Sequence, residues 1–358
     1  MVSKTSVADF MKTTEAALTC FDDRIMNRNI HAVVAIKDVA KVEWRNMPTL
    51  SQSSLKTFDD CSFRFYAEKF FLLENTPEIE HDLDRMSRGS LIHALLAFMA
   101  KQKTNWSWQF SELSEFAESW RTEYNLGKSS QGRRLQWELT WPFEKNRAIE
   151  QALEVQKLHN LRLQEYPRSS ILGTEVKFNA FFNLETGMWL SDHECSFKDR
   201  SPHLFKLTGS IDRMDLVESA HANGEKYLYI WDYKGSLSAS MKKSPNDWLA
   251  NQDRQLLLYA WAVHKGFVDG IDAEKFRLGG IHYWSYFEDI RGYGVNIDSA
   301  AEAAALGISK TISWSQEEFK NQLEQLELQL LQLIRDIKTG EMRAVPQDPK
   351  ICHNCLWR

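Results

Sequence analysis

No run of apolar residues in the 358-residue chain approaches the length needed to cross a bilayer. The opening MVSKTSVADF lacks the apolar centre of a secretory signal, so the cytoplasm is the expected location and no membrane association is expected. The chain also lacks a basic excess. Its formal net charge is −5, which excludes a molecule positive all over and confines any nucleic-acid site to a local groove. Cysteine is scarce: the five present suit thiols or metal ligands in a reducing compartment better than a disulfide framework. There is no internal repeat and no low-complexity tract. The Walker A sequence G-x-x-x-x-G-K-[ST] is absent, so the sequence shows no nucleotide-driven motor and no glycine loop to cradle a small phosphorylated substrate.

What remains is an ordinary globular composition, 43% hydrophobic and 26% charged, with thirteen tryptophans expected mostly in the core. Residues 1–45 read as a poorly patterned leader, with helical character around Val7–Leu18. A helical lobe then opens over residues 46–170. Ser51 or Ser53 can cap a helix whose buried side carries Leu55, Phe58, Phe63 and Phe65. RMSRGSLIHALLAFMA reads as a second helix, entered through Gly89, with Leu91, Leu95, Phe98 and Met99 inward. Residues 108–126 and 144–166 read as two more, the latter ended by Pro167.

From Ile171 the period changes to that of strands, and residues 171–358 read as a second region. ILGTEVKFNAFF, HLFKLTGSIDRMDLV, KYLYIWDYKGS and RLGGIHYWSYF are the expected strands, the second and third joined by a hairpin through Asn223-Gly224. NQDRQLLLYAWAVHKG reads as a helix with Leu256, Tyr259, Ala260 and Val263 on one side and Gly266 as its stop. A long amphipathic helix follows over Trp314–Lys338, stopped by Gly340. The expectation is an α/β fold, a mixed sheet flanked by helices behind an N-terminal helical lobe.

The chemistry is concentrated in IWDYKGS. Side chains alternate along a strand, so Asp232 and Lys234 share a face. The hairpin would bring Asp212, in GSIDRMD, beside Asp232. Two neighbouring carboxylates repel and are costly to bury unpaired, and a divalent cation such as Mg²⁺ or Mn²⁺ resolves both problems. Lys234 would then stand beside metal-bound water and offset charge developing on a phosphate. Each feature alone has a plainer reading. A D-x-K on a strand is usually a surface ion pair, and a histidine such as His93 in an apolar helix is usually a core residue.

The joint order is what carries weight. LSQSSLKTFDDCSFRFY, RGSLIHALL, LTGSIDRMDLV, IWDYKGS and QDRQLLLYAWA follow one another as do the motifs of the RecB-like branch of the PD-(D/E)XK nuclease superfamily. The chain resembles in particular AddB-type nuclease domains and CRISPR-associated RecB-like exonucleases, from about Leu50 to Cys355, with serine in place of the usual proline after Cys61. The resemblance implies a restriction-endonuclease-like core. It implies that His93, Asp212 and Asp232 hold Mg²⁺ or Mn²⁺ with the backbone carbonyl of Tyr233, and that Lys234 is the catalytic lysine. Gln255 and Tyr259, one turn apart on a helix, would brace the lysine or touch the DNA backbone. Glu175 matches a frequent acidic position on the family's first strand, with a supporting role near the metal and a plain salt bridge equally open. Arg88 and Arg213 are possible phosphate contacts, with structural pairing the stronger reading for either.

The resemblance also implies a [4Fe–4S] cluster joining Cys61 to a C-terminal C-x-x-C, here Cys352 and Cys355. The fourth ligand position would fall beyond Arg358. Zinc on these three cysteines with His353 is a weaker alternative, and Cys20 and Cys195 read as plain thiols. The function implied is metal-dependent cleavage of DNA, with a preference for single-stranded ends, in repair, recombination or defence and beside a helicase or similar partner. The alternative is a non-catalytic DNA-binding or scaffold subunit. Domains that have taken that route usually lose the lysine or an acid, and this chain has both.

Overall fold

The computed structural model describes residues 49–70, 85–102, 105–127, 131–165, 168–195, 204–218, 225–272, 275–286, 290–297, 310–340, 346 and 351–352. The expected leader, the Pro167 stop, the Asn223-Gly224 turn, and Cys20, His353 and Cys355 lie outside these residues. Among the described residues, no helix is long and apolar enough to cross a membrane.

The elements follow in the order α1 (Gln52–Asp60), α2 (Ser62–Phe65), a π-helical turn (Tyr66–Phe70), α3 (Arg85–Met99), α4 (Phe110–Gly127) and α5 (Gln131–Glu165). Then come β1 (Ser169–Asn183), β2 (Met188–Ser191), β3 (Leu204–Glu218), β4 (Lys226–Lys234), α6 (Gln255–His264), β5 (Arg277–Ser285), β6 (Ile290–Ile297), β7 (Lys310–Trp314) and α7 (Gln316–Thr339). The strands make one seven-stranded sheet in the order β2-β1-β3-β4-β5-β6-β7. It is mixed: β3–β4 and β5–β6 pair antiparallel, β4–β5 and β6–β7 parallel. The α/β architecture expected from the sequence is the one observed.

The chain forms two compact units. One comprises Met1–Thr76, Ala180–Thr208 and Glu327–Arg358. Here Ser51 caps α1 through a reciprocal box with Ser54, which satisfies two donors of the first turn. Leu55 and Phe65 are buried as expected, whereas Phe58 and Phe63 are half-buried, because the expected single helix breaks at the extended Cys61. The Tyr66 hydroxyl donates to the Ile337 carbonyl at 2.5 Å and ties the start of this unit to its last helix.

The other unit comprises Pro77–Asn179 and Gly209–Leu326. Its core packs Leu91, Leu95, Met99, Leu113 and Ile149 of the helices against Tyr229, Trp231 and Tyr233 of β4. Trp106, Trp141, Trp231, Trp248, Trp261, Trp284 and Trp314 are all buried. Helix α3 covers the stretch RMSRGSLIHALLAFM that reads as helix, and α5 continues through Pro142, longer than the expected 144–166. Helix α6 is buried on every side from Leu256 to Val263, not on one stripe, because it packs inside the unit. Its stop at Gly266 (φ 74°) and that of α7 at Gly340 (φ 70°) use the left-handed conformation open to glycine. Helix α7 starts with Ser315 and Glu318 capping each other's backbone. Strands β2, β6 and β7 are additions to the expected four.

Candidate active site

The hairpin of β3 and β4 delivers the two acids. Its ladder pairs Glu218 with Lys226 at one end and Arg213 with Trp231 at the other, so the next residue on each strand is Asp212 and Asp232. Asp212 is held from the neighbouring strand: the backbone N–H of Tyr233 donates to its Oδ2 at 2.7 Å. Asp232 is sealed from solvent. Lys234 Nζ lies 2.5 Å from its Oδ2, and Gln255 Nε2 donates to its Oδ1 at 2.8 Å. The same Gln255 amide donates to the Tyr259 hydroxyl at 2.8 Å. One turn of α6 thus braces the acid, and through it the lysine. The equivalence of facing between Asp232 and Lys234 that strand geometry demands is what is seen.

Burial pushes the Asp232 carboxyl up to about 7, although the Lys234 ammonium pulls the other way. For Lys234, burial opposes the charge, but Asp232 and Asp212 outweigh it and hold the amine above its ordinary value. A charged lysine therefore sits against an acid that water cannot solvate. That is an expensive arrangement, and a site for a second positive charge at the acids would lower its cost.

His93 projects from α3 toward Asp212, with Nδ1 3.4 Å from Oδ1. Burial pulls the imidazole down, but the Asp212 carboxylate, to which it hydrogen-bonds, and that of Asp232 push it up to about 9. Glu175 completes the group, its Oε1 3.9 Å from the same Nδ1. His93, Glu175 and Asp212 each place one ligand atom so that all lie within 4.8 Å of one another. This nitrogen-and-oxygen donor set fits Mg²⁺ or Mn²⁺.

Glu175 was the least legible member. It has φ 49°, in the left-handed region that a non-glycine residue enters at a cost. Along β1 the buried residues are Ser169 and Ile171 before it, and Phe178, Ala180 and Phe182 after it. Odd positions face inward first and even positions later, as when one extra residue is inserted into a strand. In ILGTEVKFNAFF the apolar Leu172, Val176, Phe178, Ala180 and Phe182 keep one parity, so only the structure shows the change that re-aims Glu175. Ser210 Oγ then holds Glu175 at 2.9 Å. Burial, and next Asp212, raise its carboxyl above the ordinary value.

Both arginines are paired within the protein. Arg88 forms a two-pronged pair with Glu144 at 2.7 and 2.6 Å. Arg213 is 1% exposed and bound to Asp215, out of reach of any phosphate. Cys61 is buried and Cys352 half-buried, both in the unit that contains α1.

The sequence matches the profile of the PD-(D/E)XK nuclease superfamily over residues 49–358. The chain belongs to the PD-(D/E)XK nuclease superfamily. The match covers every residue of the acid–lysine–histidine group, and the superfamily's members are generally nucleases that use divalent metals. No curated protein matches the chain significantly.

Proposed function

We propose that the chain is a Mg²⁺- or Mn²⁺-dependent deoxyribonuclease that hydrolyses phosphodiester bonds. The observation that carries this is the meeting of His93, Glu175 and Asp212 with the buried Asp232–Lys234 pair in one unit of a PD-(D/E)XK chain. His93, Asp212 and Glu175 would hold the cation, with Asp232 and the Tyr233 carbonyl as further donors. Bound there, a divalent ion supplies Lewis-acid charge and a more acidic water. Lys234 is the catalytic residue of this reading. Its ammonium offsets charge developing on the phosphate and orients the attacking water, while Gln255 and Tyr259 keep Asp232, and so Lys234, in place. The retention of lysine and acids favours this reading over a non-catalytic scaffold.

The finer proposal is an exonuclease acting on single-stranded DNA ends, in repair, recombination or defence, in the cytoplasm. It rests on the resemblance to RecB-like exonucleases. The absence of a Walker A sequence supports action beside a separate helicase. The test is digestion of end-labelled linear and closed circular single strands, duplex DNA and RNA, each with Mg²⁺, Mn²⁺ or EDTA. The expected result is metal-dependent loss of the linear single strand while the circle survives. Cleavage of the circle would make it an endonuclease, and inertness toward every substrate would return the chain to the scaffold reading.

An iron–sulfur cluster on Cys61, Cys352 and Cys355 with a fourth ligand is a separate proposal from the same resemblance. The placement of Cys61 and Cys352 in one compact unit supports it. The test is iron analysis and visible absorption of a chain extended past Arg358 to include a fourth cysteine and purified without oxygen: iron at cluster stoichiometry is expected there, and an iron-free extended protein would discard the cluster.

A further inference from the structure

Behind the acids, on the helical side of β3 and β4, lies a fully buried ionic group that the proposed chemistry does not use. Arg213 of β3 donates to both oxygens of Asp215, Nε to Oδ1 at 2.7 Å and Nη2 to Oδ2 at 3.0 Å. Arg162 reaches from α5 to the same Oδ2 at 2.7 Å, its guanidinium stacked over Trp231 at 4.5 Å. The arginines are 6% and 1% exposed and Asp215 1%. Two guanidiniums face one carboxylate. The arrangement is costly, and packed apolar residues would serve stability alone at least as well.

Its connection forward suggests what it does. Arg213 Nη1 also donates to the Tyr233 hydroxyl at 3.1 Å. Tyr233 in turn touches two of the three candidate metal ligands. Its amide holds Asp212 at 2.7 Å, and its ring meets the His93 ring edge-on at 6.2 Å between centroids. Because Arg213 follows Asp212 directly, one dipeptide grips β4 from both faces: Asp212 by the Tyr233 backbone, Arg213 by the Tyr233 hydroxyl. A phenylalanine would fill the same volume but leave the ring without an anchor.

We propose that Arg213, clamped by Asp215 and Arg162, is a positioning residue that acts through the Tyr233 hydroxyl to fix Asp212 and His93 for the metal. The proposal rests on the metal-site reading above. Positioning of this kind typically changes metal affinity by about tenfold or more when removed.

The test is titration of the full-length protein with Mn²⁺, reading free ion by its paramagnetic resonance signal, with no nucleic acid present. Asp212→Asn defines the specific part of the binding. Tyr233→Phe and, separately, Arg213→Lys are expected to weaken specific Mn²⁺ binding about tenfold. Tyr227→Phe serves as the control, since its hydroxyl is held by Glu225 far along the same strand, and should bind as the wild type does. If Tyr233→Phe and Arg213→Lys lower only the melting temperature and bind Mn²⁺ as tightly as wild type, the ionic group is merely structural and the proposal fails alone. A wild-type protein that binds no Mn²⁺ overturns the metal site and this inference together.

Discussion

Lys234 Nζ and Asp232 Oδ2 stand 2.5 Å apart, with Asp232 wholly enclosed and the lysine side chain 22% exposed. The pair therefore points one charged end toward solvent and any substrate, and anchors it from within. Truncating the lysine leaves Asp232 able to protonate in place, which a carboxyl already raised to about 7 does easily, so the fold should survive. Lys234→Ala should lower the cleavage rate by about 10²-fold or more while specific Mn²⁺ binding persists. A variant that cuts at the wild-type rate would remove Lys234 from the mechanism.

Glu175 tests the candidate metal group at a position outside the five ordered motifs. Its left-handed φ of 49° is tolerated by glycine without strain. Glu175→Gly should thus change unfolding free energy by less than about 1 kcal/mol, the relief of backbone strain offsetting glycine's greater freedom when unfolded. The same variant should need a markedly higher metal concentration for half-maximal cleavage. An unchanged metal requirement would leave Glu175 as a plain partner of Ser210.

Gly209, two residues before the Ile211-Asp212 step, lies under the ring of Phe178, and a Cβ there would come within 2.3 Å of Phe178 Cε1. Phe178 is fully buried and cannot swing away freely. Gly209→Ala should cost roughly 1–3 kcal/mol of stability by overpacking. Phe178→Leu in the Gly209→Ala background should recover part of it. Urea unfolding of wild type and the two variants measures this, and full stability of Gly209→Ala would refute the steric reading.

His282 should weaken the fold on acidification well above the ordinary carboxylate range. Burial first, and then the positive Arg162 from α5, push His282 down to about 3, between Tyr229 and Trp231 of β4. The unfolded chain binds a proton near the ordinary 6.5 while the folded chain does not, so stability falls as pH drops from 6.5 toward 3. Between pH 7 and 5 this one residue accounts for about 2 kcal/mol. Asp215 works lower down. Burial opposes its charge, but Arg213 and Arg162 hold it below 3.8, so its contribution is intact above that value and is lost only as pH falls through its lower folded one. The difference between wild type and His282→Gln, unfolded in urea at pH 7 and pH 5, should shrink by about that 2 kcal/mol. Parallel pH dependence in the two proteins would contradict the assignment.

The meeting of Asp212, Asp232, Lys234, Gln255 and Tyr259 was legible in the sequence because its constraints are local. Asp232 and Lys234 share a face by strand parity, Gln255 and Tyr259 by helical spacing, and the hairpin register places Asp212 beside them. What escaped depended on tertiary packing. Strand β6 hides behind Gly292 and Gly294, which break the alternation, and β2 and β7 are too short to show a period. Helix α6 gave a one-sided reading although it is enclosed all round. Arg213 read as a phosphate contact or an ion pair, and only the arrival of Arg162 from α5 shows the buried group it makes with Asp215.

The central claim is that this group of acids, histidine and lysine cuts DNA with a divalent metal. Its most direct test is the decay of end-labelled single-stranded DNA under wild type and Asp212→Asn, side by side, with Mn²⁺ or with excess EDTA. The account predicts loss of full-length strand only for wild type with Mn²⁺. Cleavage that persists in EDTA or in Asp212→Asn, or no cleavage by wild type with metal, would contradict it.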